Sequence, residues 1–181
     1  MIGFTFRGKH CFNDYGIVMR SKDRTILPSK RKRQTEIPLR HGLYEFEGAT
    51  YDERVIQVEC FLDGGSGPEL RRKIRRIALW LSEPGRLSFD DEPELYYQAR
   101  IYSAIPLEQT LAVGTFTLLF ECQPFARGES ASTSATITTN GQRVGIPYQG
   151  TQPAGCRMVL KNTGSAAVGG ITLTISGREE L

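Results

Sequence analysis

The sequence is poor in the residues that most enzyme chemistry requires. It has only two histidines, His10 and His41, each beside strongly polar neighbours. No G-x-S-x-G elbow, phosphate-binding P-loop or G-x-G-x-x-G turn occurs in it. Its four cysteines, Cys11, Cys60, Cys122 and Cys156, are far apart and never form a C-x-x-C pair. Structural zinc sites draw on closely spaced ligand pairs, so that spacing argues against a metal knuckle. The thiols read instead as reduced and mostly buried. No stretch approaches the ~18 consecutive apolar residues of a membrane helix. The first residues, "MIGFTFRGKHCFND", lack the continuous apolar segment of a secretory signal. The net charge of +3 is too small to indicate nucleic-acid binding by itself. Catalytic, metal-binding and cofactor-binding residues are therefore all predicted to be absent.

Aromatic residues are nearly missing from one end. Residues 1–127 hold 16 of the 17 aromatics and 19 of the 23 Lys and Arg, and the last 54 residues keep only Tyr148. The break falls in "PFARGESASTSATITTNGQ", where Pro124, Gly128 and a small polar run mark a linker. Two domains are expected, 1–126 and 127–181. In the second, "TSATIT", "CRMVLKN" and "GITLTIS" read as strands, and Asn140-Gly141 suits a tight hairpin turn. One aromatic makes a poor core, so this segment reads as the opening part of a larger β-sandwich, shortened or completed by another chain.

The first domain reads as strands around one helix. "IGFTFRG", "YGIVMRS", "YDERVIQVECFLD", "GRLSFDD", "LYYQARIYS" and "GTFTLLFECQPF" have strand-like alternation or short apolar runs. The helix is "GPELRRKIRRIALWLSEPG": Pro68 and Glu69 suit its first turn and Pro84-Gly85 stops it. At helical spacing Leu70, Ile74, Ile77, Ala78 and Leu81 form an apolar stripe, and Arg71, Arg72, Arg75 and Arg76 cover the opposite face. Leu79 points out among the arginines and Trp80 lies at the edge of the stripe. A leucine beside a tryptophan at the rim of a basic face hints at an interface.

Three local motifs invite functional readings. "FDDEPE" crowds Asp90, Asp91, Glu92 and Glu94 around Pro93, as a strand–turn–strand junction does. Glycoside hydrolysis needs two carboxylates ~5–9.5 Å apart across a cleft, which four neighbours on one turn do not supply. "DGGSGPEL" precedes the helix but lacks the Lys-Ser/Thr of a nucleotide loop, and Glu69 would repel phosphate; it reads as linker and cap. The run Lys30, Arg31, Lys32, Arg33 reads as a solvated loop, a contact with an acidic neighbour, or a set of phosphate contacts. Aromatics that could stack on bases are missing around it.

The order of these pieces resembles a known family. "FTFRGKHCFNDYGIVM", "ILPSKRKRQTEIPLRHGLYEFEGATYDERVIQVECFL", "ELRRKIRRIALWLS", "GRLSFDDEPELYYQARI" and "LEQTLAVGTFTLLFECQPFA" follow one another as in the distal tail proteins of long, non-contractile-tailed bacteriophages and their prophages. The resemblance covers residues 2 to about 126. The later "YQGTQPAGCRMVLKNTGSAAVGGITLTIS" is similar to the start of that family's second domain, a galectin- or carbohydrate-module-like sandwich, here incomplete. The resemblance implies a mainly β protein: an N-terminal β-sandwich with a flanking α-helix and an extended hairpin or belt arm. It further implies a virion tail-tip component, assembled in the bacterial cytoplasm. That component forms a hexameric ring between the tail tube and the tail-tip or receptor-binding proteins, with DNA only as passing cargo and no membrane contact. It carries over no catalytic residue. In this frame the 28–42 segment, with Lys30, Arg31, Lys32 and Arg33, lies against a neighbouring subunit, and Leu79 and Trp80 lie near the subunit boundary. A stand-alone carbohydrate-binding module would need an aromatic platform beyond Tyr148. A hydrolase would need two of the bend's carboxylates, or one and a distant partner, lining a pocket.

Overall fold

The structure, a computed structural model, describes residues 3–46, 50–63, 65, 67–110 and 113–176. Gly64 and Ser66 of the expected helix-capping linker, and Ile2 of the first expected strand, lie outside them. The chain divides into two compact units, Met1–Ala131 and Ser132–Leu181.

The first unit is mainly β. Strand β1 (Phe4–Phe6) turns through Arg7 and Gly8 into β2 (Lys9–His10). Both turn residues have positive φ, 51° and 73°, the backbone that suits a two-residue hairpin. Helix α1 (Cys11–Tyr15) follows directly and ends at Gly16, whose φ of 70° lets its N–H reach the Phe12 carbonyl at 2.8 Å. Next come β3 (Ile17–Arg24), the short strands β4 (Gln34–Glu36) and β5 (Leu43–Glu45), and β6 (Arg54–Asp63). Helix α2 (Gly67–Leu81) leads into β7 (Gly85–Phe89) and β8 (Glu92–Arg100). The unit closes with β9 (Glu108–Thr110), β10 (Val113–Cys122) and β11 (Arg127–Gly128).

Among the described residues the main sheet runs β2-β1-β7-β8-β10-β6-β3, with β9 on β10 and β11 on β8. The β6–β10 ladder holds ten consecutive antiparallel pairs, from Val113↔Asp63 to Cys122↔Arg54. By contrast β8 and β10 meet in only two, Glu121↔Arg100 and Cys122↔Ala99. That narrow join lets the sheet fold back, so β2-β1-β7-β8 faces β10-β6-β3 as a sandwich. Phe4 and Phe6 on β1 reach Phe120 on β10 across the gap, with ring centroids 5.6 and 5.3 Å apart. Alternate residues of each strand, such as Ile56, Val58, Cys60 and Leu62 on β6, supply the inner faces.

Helix α2 covers the sandwich with Leu70, Ile77, Trp80 and Leu81. Trp80 is a core residue, 5% exposed, stacked on Tyr15 at 4.3 Å and on Phe4 at 5.9 Å. The residue at the edge of the helical stripe is thus turned into the core of its own unit. The aromatic cluster pulls the edge of the helical stripe inward, and Ala78 is the stripe residue left exposed. Pro93 is the second residue of β8. The β7–β8 register shifts between Leu87↔Tyr97 and Phe89↔Glu92, leaving Pro93 where no ladder hydrogen bond is required. Strand β11 pairs Arg127 with Tyr96 and Gly128 with Leu95, so the first unit continues past residue 126. Cys11, Cys60 and Cys122 are buried free thiols and Cys156 is exposed. Loss of solvation raises all three buried thiols, Cys122 to about 12.

The second unit departs from expectation. Its described residues, 132–176, form no helix or strand, and all are exposed. A strand requires both a ladder partner and a face to bury, and a segment with one aromatic provides neither. Only local bonds remain. Gly141, at φ 71°, makes the foreseen turn, and the Gln142 amide donates to Thr136 O at 3.0 Å. Asn162 Oδ1 accepts from Gly164 N at 2.9 Å.

Candidate assembly surfaces

The acidic bend lies at the tip of the β7–β8 hairpin, and three of its four carboxylates, Asp90, Asp91 and Glu92, are already engaged, while Glu94 is exposed. Asp90 Oδ2 accepts the Gly3 N–H at 2.7 Å and lies 3.2 Å from His10 Nε2. His10 Nδ1 accepts from the amides of Phe12 and Asn13, so the ring proton sits on Nε2 and donates to Asp90. Lys22 of β3 pairs with Asp91, and Arg24 bridges Asp91 at 2.6 Å and Glu92. Both cations also lie over the Phe89 ring, at 4.8 and 5.0 Å. The hydrogen bond from Lys22, with Arg24 nearby, holds the Asp91 carboxyl below its ordinary value. A general acid needs the opposite shift. The bend is thus a clasp joining β3 to the far half of the sandwich.

Two cavities lie elsewhere. One of about 490 Å3 is lined by Asp63, Gly65, Glu69, Arg72 and Lys73 at the start of α2. The other, about 90 Å3, lies beside the narrow β8–β10 join and includes Glu53, Pro84, Ala99, Arg100 and Glu121. Among the described residues no three His, Cys, Asp or Glu side chains gather as a metal site would need, and no helix is long and apolar enough to cross a membrane.

The basic run belongs to an arm that leaves the body between β3 and β6. Its stem is paired: Lys30 bridges Tyr51, Arg31 N donates to Thr50 O at 2.8 Å, and Asp52 N donates to Ser29 O at 2.8 Å. Arg31 Nε also meets Asp52 Oδ1 at 2.6 Å, whereas Lys32 and Arg33 make no ion pair among the described residues. Beyond the stem, β4 and β5 pair only with each other among the described residues. Ile37, Leu39, Leu43, Tyr44 and Phe46 are all exposed along this outer part. A lone hairpin is marginal in water, and apolar groups left open on one point to a covering partner. At the tip Arg40 N donates to Ile37 O at 3.1 Å, closing a turn with Pro38 and Leu39 at its centre. Leu39 has φ 67°, a left-handed backbone that costs a leucine roughly 1–2 kcal/mol.

Helix α2 presents a second surface. Arg71, Arg72, Arg75 and Arg76 are exposed and make no ion pair among the described residues, and Leu79 beside them is 76% exposed. Like charges at Arg71/Arg75 and Arg72/Arg76 repel by about 0.2–0.5 kcal/mol a pair, and cations in the first turns oppose the helix dipole.

The outward face of β3-β6-β10-β9 has the opposite sign. Pairing places Asp23 beside Gln57, Glu59 beside Ser21 and Thr117, Glu108 beside Thr115, and Glu121 beside Val55. Among the paired positions of those four strands no lysine or arginine lies on this face; Arg20 of β3, exposed at the register shift, has no pairing partner. Sequence reasoning missed this face, although the signal was present: Glu59 and Glu121 occupy the odd, outward positions of strands whose even positions, Arg54 apart, carry no charge.

Residues 12–122 match the family model of the phage tail protein RIFT-related domain. The chain belongs to this phage tail protein family. The tail protein also shares its fold with the crystal structure of SPP1 Dit (gp 19.1), described as a paradigm of the hub adsorption apparatus in phages infecting Gram-positive bacteria. The TM-score is 0.61 at 22% identity, covering 71% of the tail protein and 53% of the SPP1 chain. The tail protein thus spans about half the length of that solved structure. No curated protein matches it.

Proposed function

We propose that this chain is a distal tail hub, a ring of six copies joining the tail tube to the tail-tip or receptor-binding proteins around the DNA channel. The reading extends the hub description of SPP1 Dit to a chain of the same fold. The observation that carries it is the arm: beyond its paired stem, a hairpin with open apolar residues, and with Lys32 and Arg33 making no ion pair among the described residues, has the character of a contact element. The carboxylate-bearing face of β3-β6-β10-β9 suits a channel wall, since fixed negative charge repels DNA phosphates and keeps passing duplex from adhering. The role is structural, with no reaction performed. Its place is the virion tail tip, reached after assembly in the host cytoplasm.

Light scattering of the purified chain, followed by negative-stain imaging, tests the proposal. Six-fold rings, or a mass six times the monomer, are the expected result. A chain that stays monomeric at high micromolar concentration overturns it.

A further inference from the structure

Helix α2 carries five cations against one acid, Glu69 in its first turn. Lys73 is turned aside, donating to the Asp63 carbonyl at 2.9 Å. The other four, Arg71, Arg72, Arg75 and Arg76, are exposed and span roughly 140° of the helix at 100° per residue. Leu79, 76% exposed, falls close to the midline of that arc, and exposed Pro68 stands on the same line at the far end. Pro68, Arg72, Arg75 and Leu79 thus follow one another at spacings of four, three and four. That is the spacing by which one helix seats another, over about 16 Å at 1.5 Å per residue. The opposite side of α2 is fixed: Leu70, Ile77, Trp80 and Leu81 are buried, and the Trp80 indole donates to the Phe6 carbonyl at 2.8 Å. The face is therefore held ready, and a partner need not order it.

We propose that this face docks an acidic helix of another tail protein, one that sets Glu or Asp side chains on both sides of an aliphatic residue. That the partner is a tail protein rests on the hub reading; its chemistry rests on α2 alone. The sign of the face calls for carboxylates or phosphates. Like charges stand at i,i+4 in both Arg71/Arg75 and Arg72/Arg76, and carboxylates brought between them turn repulsion into charge-assisted pairing. Leu79 decides between the two acids. Against a DNA backbone it would set an aliphatic group among phosphates, and no aromatic residue accompanies it on the face to stack on bases. Against protein, an aliphatic centre rimmed by arginines has the make-up of an interface core. In the hub reading the carboxylates of this chain's own sheet face line the channel, which leaves the acid to a different protein.

A labelled synthetic helix of about 20 residues, long enough to fold alone, serves as the probe, with glutamates flanking one leucine. A second peptide has glutamine for glutamate, and a short duplex DNA is the third probe. Fluorescence anisotropy measures binding to the full chain, negative-stain imaging follows its rings, and thermal unfolding checks the fold. The parent should bind the glutamate helix about tenfold or more tighter than either other probe. Arg72→Glu/Arg75→Glu converts both like-charged pairs into opposite ones. It should melt no earlier than the parent, form the same rings, and lose about tenfold or more in affinity for the glutamate helix. Leu79→Ser should lose about threefold or more. A parent without that preference, or a double variant that binds as the parent does, overturns the docking site while leaving a ring-forming chain intact. So does a double variant that melts normally but no longer forms rings, since the face would then lie between copies. A parent that stays monomeric yet binds the glutamate helix overturns the ring and upholds the docking site.

Discussion

The indole N–H of Trp80 donates to the carbonyl oxygen of Phe6 at 2.8 Å, and Arg7 donates back to the Trp80 carbonyl at 3.0 Å. The last turn of α2 is thereby fastened to the end of β1, at the centre of the aromatic cluster. Replacing Trp80 by Phe keeps most of the packing but leaves a buried carbonyl without its donor, at a cost of about 1–3 kcal/mol. Trp80→Ala also opens a cavity and should cost about 3–5 kcal/mol. Urea denaturation reads both, with the midpoint falling and the slope unchanged. A Trp80→Phe variant within about 0.5 kcal/mol of the parent would show the bond to be dispensable.

The bend predicts an acid-sensitive clasp. The Asp91 carboxyl lies below its ordinary value of 3.8 because of the bond from Lys22, then the charge of Arg24. A lowered folded-state value means that its contribution is complete above the unfolded value and is lost as pH falls through the folded one. Asp91→Asn should therefore flatten the loss of stability below about pH 4. At neutral pH its effect is modest, about 0.5–1 kcal/mol, because the pair is partly open to solvent. Unfolding measured from pH 2 to 7 decides the matter; parallel curves for parent and variant would remove the clasp from the account.

The arm's free cations predict a separation of stability from assembly. Lys32 and Arg33 are exposed and make no ion pair among the described residues, so reversing both to Glu should leave the melting temperature unchanged. Assembly should weaken, and in the parent it should weaken as salt shortens the screening length from about 10 Å at 0.1 M. Light scattering at two salt concentrations measures this. Parent and variant assembling alike at both would take the basic stem out of the contact.

Much of the first unit was legible because alternation and helical spacing are local signals. Ile56, Val58, Cys60 and Leu62 of β6 and Phe116, Leu118, Phe120 and Cys122 of β10 face inward as their apolar identity demands, and Leu70, Ile77 and Leu81 do the same on α2. The burial of Trp80 was less legible because a helical stripe has soft edges, and tertiary partners such as Tyr15, 65 positions earlier in the numbering, decide which edge residue turns in. The place of Pro93 inside β8 was hidden for a similar reason: a register shift tolerates it within a strand, and single-strand patterns do not reveal such shifts. The strands expected beyond residue 131 required a partner that local composition does not contain. The left-handed backbone of Leu39 had no sequence signature, since glycine is the residue that normally announces it.

The sandwich is sewn unequally at its two margins. At one, where β8 meets β10, main-chain bonds form a short permanent seam. At the other, β3 is tied to the β7–β8 tip by Lys22 and Arg24 acting on carboxylates. Such fastenings can open and refasten without unravelling any ladder. The molecule can therefore yield along its charged margin, as a clasped book does along its fore-edge, while the spine stays closed.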